Sequence, residues 1–277
     1  MTIPTRLFPI GVLLTLLIAM TPALEARAGA PQTLDFSPAA DNTLYERPTG
    51  DLSNGAGPAL FIGRTGANAG EVLRRALLRF DLNAIPPGSE VLSARLEFNV
   101  DMVPPMSTGF DATLHRVQAA WGEAGSLAPG AGGGGTAAQP GDATWLHRFF
   151  DTEFWATPGG DFDPTTSGTA PLDAGIGVFA FESTPALVTD VQIWVNQPGA
   201  NFGWIVLGEE DNPENARRIA SRENAALAPT LEVQFIPALL PQPAVPVSTL
   251  NVKGLTLMIL VLGLLAGQTM RTRRRAV

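Results

Sequence analysis

From Asp142 to Asp161 the chain reads Asp-Ala-Thr-Trp-Leu-His-Arg-Phe-Phe-Asp-Thr-Glu-Phe-Trp-Ala-Thr-Pro-Gly-Gly-Asp. Trp145 and Trp155 flank His147, Arg148, Asp151 and Glu153, and Asp161 closes the stretch. Flat aromatic rings suit the apolar faces of sugars, and polar neighbours suit their hydroxyls. Turn residues surround the stretch, and loops held on a rigid scaffold are where binding groups collect. Trp145, His147, Arg148, Trp155 and Asp161 are therefore the candidate ligand-binding residues. The alternative is that the same aromatics pin a long loop onto the fold. Trp194 and Trp204 lie on apolar stripes and are expected in the core.

Paired carboxylates could also serve a glycosidase as acid and base. Asp151 with Glu153, or Asp161 with Asp163, are the available pairs. Such a pair needs a defined separation across a cleft, which closeness in sequence does not supply. No catalytic residue is assigned. Calcium is a further possibility, because its ligands are carboxylate and carbonyl oxygens. Asp161 and Asp163 form one local candidate, and Glu209-Glu-Asp-Asn212, with Asp211, forms another. Neither run has the spacing of a known calcium loop, and a solvated acidic turn is the simpler account of both. Arg74, Arg75 and Arg79 could grip an acidic polysaccharide through planar contacts, or lie in ion pairs along a strand.

Several chemistries are excluded. The chain of 277 residues has no cysteine, so it has no disulfide, thiolate metal site or cysteine nucleophile. Its two histidines are too few for a histidine-rich metal centre. No Gly-x-Ser-x-Gly elbow, phosphate loop or dinucleotide fingerprint is present. The net charge is −8, yet seven of the 18 basic residues and only one of the 26 acidic ones lie near the ends. The central domain is thus strongly acidic and would repel phosphate backbones, which argues against nucleic-acid binding.

The elements that would position these residues are mostly strands. Leu92, Ala94, Leu96, Phe98 and Val100 alternate with polar residues, so one face packs and the other is wet. Leu231, Val233 and Phe235 repeat the pattern, as do Ala76, Leu78 and Phe80 against Arg75, Arg79 and Asp81. Phe202 to Leu207 is a continuous apolar run of the kind found in buried strands. Ala59–Gly63, Ala112–Arg116 and Val178–Glu182 are further strand candidates. Asn54-Gly55, Pro86-Pro87-Gly88, Pro158-Gly159-Gly160 and Pro198-Gly199 mark turns, and the glycine-rich stretch from Gly130 to Gly135 marks a flexible loop. One segment differs. Thr184 can cap, Pro185 suits a first helical position, and Val188, Val191, Trp194 and Val195 recur at helical spacing. The expected fold is all-β: a single jelly-roll-like antiparallel β-sandwich with one short helix.

The order of these landmarks resembles the DNRLRE domain family. The resemblance is carried by Arg75-Ala-Leu-Leu-Arg-Phe-Asp-Leu, the Ile85-Pro-Pro-Gly88 turn and Val91-Leu-Ser-Ala-Arg-Leu96. It continues through Asp41-Asn-Thr-Leu-Tyr-Glu46, Leu114-His-Arg-Val117, Trp121-Gly-Glu123, Val188-x-x-Val-x-x-Trp194, Asn201-Phe-Gly-Trp204, Ala220-Ser-Arg-Glu223 and Pro229-Thr-Leu-Glu-Val233. It spans almost the whole central domain. It implies a jelly roll related to carbohydrate-binding modules, noncatalytic, with extracellular polysaccharide as the expected partner. It transfers no particular ligand, because fold does not fix function.

The two ends suggest export. Residues 1–30 fit a signal peptide: Arg6, an apolar run from Leu7 to Met20, then Ala26-Arg-Ala28 or Ala28-Gly-Ala30 for cleavage. An uncleaved anchor helix is the alternative. Residues 31–237 form the sandwich domain, and 238–249 a proline-rich linker. Residues 250–277 hold the apolar run Leu255–Ala266, expected to be a transmembrane helix, followed by Arg271, Arg273, Arg274 and Arg275, a layout that leaves the arginines in the cytoplasm. This tail resembles the IPTL-CTERM sorting signals, relatives of the PEP-CTERM class, through Ser248, Thr249, Leu250 and Gly254 ahead of the apolar run and Arg273–Arg275 behind it. That resemblance implies a Gram-negative envelope, membrane anchoring before processing, and an exosortase-like peptidase that releases the protein to the cell surface or matrix. A plain single-span anchor is the alternative.

Overall fold

A computed structural model describes residues 29–238 and Leu260. Residues 1–28 of the expected signal peptide, the expected linker from residue 239 and the residues expected to form a sorting signal, Ser248, Thr249, Leu250, Gly254 and Arg273–Arg275, lie outside the described residues. Among the described residues no helix is long and apolar enough to cross a membrane.

In chain order the strands are β1 (Gln32–Phe36), β2 (Pro38–Tyr45), β3 (Leu52–Ser53), β4 (Ala59–Arg64), β5 (Leu73–Phe80), β6 (Glu90–Met102), β7 (Phe110–Val117), β8 (Thr136–Ala137), β9 (His147–Phe149), β10 (Glu153–Phe154), β11 (Phe162–Leu172) and β12 (Gly177–Phe181). Helix α1 (Pro185–Asn196) follows, then β13 (Trp204–Leu207), β14 (Arg217–Ala220) and β15 (Thr230–Ile236). The long strand β6 organises the first sheet. β15 and β14 lie end to end along one of its edges and β12 along the other, with β1 outside β15 and β4 outside β14. The second sheet runs β2-β5-β13-β7-β11. All these pairs are antiparallel, as expected for a jelly-roll-like sandwich. The two sheets share a seam at β4, whose last residues Gly63 and Arg64 leave β14 and pair with Arg74 and Leu73 of β5. Gly63 has φ +92° at this switch, and a Cβ there would lie 2.9 Å from the Asn215 carbonyl. Only glycine fits both demands.

The main core lies between the sheets. Ala94, Leu96, Phe98 and Val100 of β6 meet Ala76, Leu78 and Phe80 of β5 and Trp204 and Val206 of β13. Leu231, Val233 and Phe235 complete it. The alternation in β6 holds with one correction. The register slips where Gln234 pairs with Ser93 but Phe235 pairs with Val91, so a bulge lies at Leu92. A bulge reverses the side-chain faces beyond it. Val91 is therefore buried, whereas Leu92, expected inward, is 38% exposed.

Helix α1 forms where its capping residues predicted. The Thr184 hydroxyl accepts the Leu187 N–H at 3.0 Å, and Pro185 occupies the first turn. Leu187, Val191, Trp194 and Val195 enter the core. Asp190, on the same helix, is buried and ties it to three strands of the second sheet. Its Oδ2 accepts Ser167 Oγ at 2.6 Å and Trp204 Nε1 at 2.9 Å, and its Oδ1 lies 3.4 Å from Arg116 Nε.

The alternation of Arg75 and Arg79 in β5 suggests a wet outer face for the second sheet, whereas the apolar run of β13 suggests a covered one. The face is covered. Leu44, Leu77 and Ile205 point outward from the sheet, yet all are fully buried beneath the segment 118–161. That segment forms a third layer with little regular structure. The glycine-rich stretch belongs with it, and the Tyr45 hydroxyl donates to Gly132 O at 2.8 Å.

Candidate functional site

The covering layer carries the residues singled out for ligand binding. Three tryptophans pack it against the sheet, and two of them give an indole N–H to a backbone carbonyl. Trp121 donates to Phe202 O at 2.7 Å, and Trp155 donates to Thr144 O at 2.9 Å. Trp145 lies under the Arg75 guanidinium, 5.0 Å from its ring, and its own carbonyl accepts the Gly159 N–H. Trp145 is 8% exposed and Trp155 5%. Both rings face the second sheet, so neither offers a face to solvent. Buried indoles packed on a sheet are packing elements, and that of Trp155 also has its N–H satisfied.

His147 and Arg148 are also held inside this layer. His147 is buried, its Nδ1 3.1 Å from Thr144 Oγ1 and 3.2 Å from Gly50 O, and its ring stacks on Phe154 at 4.3 Å. Arg148 pairs with Glu153 and gives a further N–H to Ala120 O at 3.3 Å. Asp161 closes its own loop: Oδ2 accepts the Ala156 N–H and Oδ1 the Thr157 N–H, both at 2.8 Å. The structure thus brings the five residues into one layer but not around one shared surface.

The acidic runs behave similarly. Asp163 Oδ1 accepts the Thr165 N–H at 2.9 Å, and that bond, with Arg116 beside it, holds its carboxyl below the usual range. Glu209 accepts the N–H groups of Asn212 and Asp211, and the Asn212 bond is the main reason its carboxyl is also held low. Asp211 itself is exposed. These carboxylates fasten turns and do not converge with Asp161 or one another into a cluster. The carboxylates that do converge are Asp41, Glu123 and Glu223. Periodicity could not find them, because they come from three distant segments. The signal was present only in the landmarks at Asp41–Glu46, Trp121–Glu123 and Ala220–Glu223.

Beside the covering layer is an open cleft of about 640 Å³. Arg75, Gln118, Thr157, Pro158, Asp161 and Phe162 line it. Arg75 is already engaged, bidentate to Glu210 at 2.8 and 2.9 Å and donating to Gly159 O at 2.9 Å. Its contact is therefore an internal ion pair. Gln118 and Thr157 are exposed and present free polar groups to the cleft. Comparison with protein-family models gives no match, and comparison with curated proteins gives no relative.

Proposed function

We propose that this chain is a noncatalytic, exported component of a Gram-negative cell surface or matrix, with its β-sandwich acting as a structural and adhesive module. One observation carries the reading. The tryptophans, the histidine and the arginine best suited to a sugar platform are all engaged in fastening the covering layer. Of the carboxylates considered for catalysis, Glu153 is engaged by Arg148, and Asp161 and Asp163 by their own loops, while Asp151 is exposed, away from any cluster of acids among the described residues. The resemblances to the DNRLRE family and to IPTL-CTERM tails supply the setting, and the acidic surface suits a protein outside the cytoplasm that must stay soluble.

Polysaccharide binding is the second reading, and the open cleft at Gln118 and Thr157 favours it. The two are separated by screening the full chain against neutral and acidic glycans. The structural reading expects uniform silence. A glycan bound by the wild type and lost in Gln118→Ala, with unfolding unchanged, would overturn it in favour of the cleft. Export is tested by expressing the full chain in a Gram-negative host and shaving whole cells with protease. Retention in the cytoplasm with an intact N-terminus would refute the proposed location.

A further inference from the structure

Three segments far apart in the chain meet at one point on the sandwich. Asp41 comes from β2, Glu123 from the covering layer, and Glu223 from the loop between β14 and β15. One carboxylate oxygen from each lies within 4.8 Å of the others. That span is twice the roughly 2.4 Å between calcium and an oxygen ligand. The geometry is therefore that of carboxylates arranged around a common centre.

The charges around this centre are incompletely met. Among the described residues, Arg222 is the one cation paired with the group. Its guanidinium contacts Glu123 Oε1 at 2.6 Å and Glu223 Oε1 at 3.0 Å, and its backbone N–H donates to Asp41 Oδ2 at 2.8 Å. Glu123 Oε2 accepts the Asp41 N–H at 3.0 Å, and Glu223 Oε2 accepts the Ser221 hydroxyl at 2.9 Å. Asp41 is fully buried, and its Oδ1 has no hydrogen-bond partner. Burial pushes the Asp41 carboxyl well above the usual carboxylate range, and a carboxylate sealed from water without a partner either takes up a proton, pairs or coordinates a metal. Three carboxylates facing one guanidinium leave an excess of negative charge that a divalent cation would offset.

We propose that Asp41, Glu123 and Glu223 form a binding site for a calcium-class cation that joins β2, the covering layer and the 221–229 loop. The donor set is all carboxylate, the chain has no cysteine, and neither histidine belongs to the cluster, so hard oxygen-seeking ions are selected over zinc or copper. Arg222 is the group that yields. Its side chain is 38% exposed, so the guanidinium can swing to solvent when the ion enters. This site is separate from the acidic runs at Asp161–Asp163 and Glu209–Asp211, and it does not depend on the function proposed above.

The test uses the full chain stripped of metal with a chelator. Calcium is added while heat of binding and thermal unfolding are followed. The expected result is saturable binding of one ion per chain and an unfolding midpoint that rises with the logarithm of calcium concentration. Glu223→Gln, on a surface loop, weakens binding at least about tenfold by removing one charged ligand. Asp41→Asn does the same but could also impair folding, so Glu223→Gln carries the comparison. Arg222→Gln gives the sharper readout. It removes the competing cation, so calcium binds more tightly although two ion pairs are lost; a purely structural arginine would give no such gain. The proposal is overturned if wild type and Arg222→Gln both show no heat and no midpoint shift up to about 10 mM calcium, beyond the range of weak extracellular modules. It is equally overturned if the shift survives in Glu223→Gln, or if magnesium alone reproduces it at the same concentration.

Discussion

Replacing Trp155 with alanine separates a structural tryptophan from a sugar platform. A tryptophan as deeply buried as this one removes about 150–250 Å² from water, which at roughly 25 cal/mol per Å² corresponds to about 4–6 kcal/mol. The alanine methyl and partial collapse of the cavity reduce this to about 3–5 kcal/mol. The Thr144 carbonyl also loses the N–H donated at 2.9 Å, a further cost of about 1 kcal/mol. Trp155→Phe keeps most of the ring and loses the donor, so it should cost about 1–2 kcal/mol. Urea unfolding of the full chain, followed by circular dichroism, measures both. Limited proteolysis adds a local readout, with faster cutting within 118–161 in the alanine variant. If Trp155→Ala unfolds within about 0.5 kcal/mol of wild type, the level of an ordinary surface substitution, the packing argument fails. If it also abolishes binding to a glycan, the ring is a platform after all.

Three further outcomes follow from the contacts. Asp190→Ala strands the Trp204 N–H and the Ser167 hydroxyl and removes the partner of Arg116; equilibrium unfolding should show a loss of about 3–5 kcal/mol, with Asp190→Asn clearly milder. Gly203 has φ +75°, and a Cβ there would lie 2.0 Å from the Leu78 carbonyl, so Gly203→Ala should cost at least about 3 kcal/mol or prevent folding, read as loss of soluble chain. Asp163 and Glu209 are held below the ordinary carboxylate range, so the folded state binds fewer protons there than the unfolded chain. Their contribution is present above the ordinary values and lost as pH falls through them to the depressed folded values. Asp163→Asn combined with Glu209→Gln should flatten the acid side of a stability–pH profile, by a small amount because both groups meet solvent.

The sandwich was legible wherever one strand face is apolar and the other polar. Strands β5, β6 and β15 and the apolar run of β13 announce themselves by period, and α1 by its cap. The bulge at Leu92 was not legible, since Val91 and Leu92 are both apolar and only pairing with β15 decides which turns inward. β2 was hidden for the opposite reason. Its Asp41, Asn42 and Thr43 are polar yet fully buried, because the side chains bond to neighbouring layers instead of water. The covering layer has no period at all. Its position is set by contacts between distant segments, such as the Trp121 indole N–H to Phe202 O and the Asn42 amide to Ala143 O, which no local pattern encodes. The stretch around Trp145 and Trp155 was thus legible as special chemistry, while the direction its rings face was not.

The pairing of β1 with β15 has a consequence for the timing of synthesis. Gln32 lies opposite Phe235, and Leu231–Ile236 also fill the β6 edge from Leu96 to Glu90. The first described strand and half of the longest one therefore wait for nearly the last residues of the domain before they can complete their ladders. Contacts between such distant segments form slowly, because the intervening chain must be closed first. A chain emerging from its N-terminus would stay open until Ile236 appears. A polypeptide built this way cannot lock its sheet early, and remains threadable for as long as its final strand is withheld.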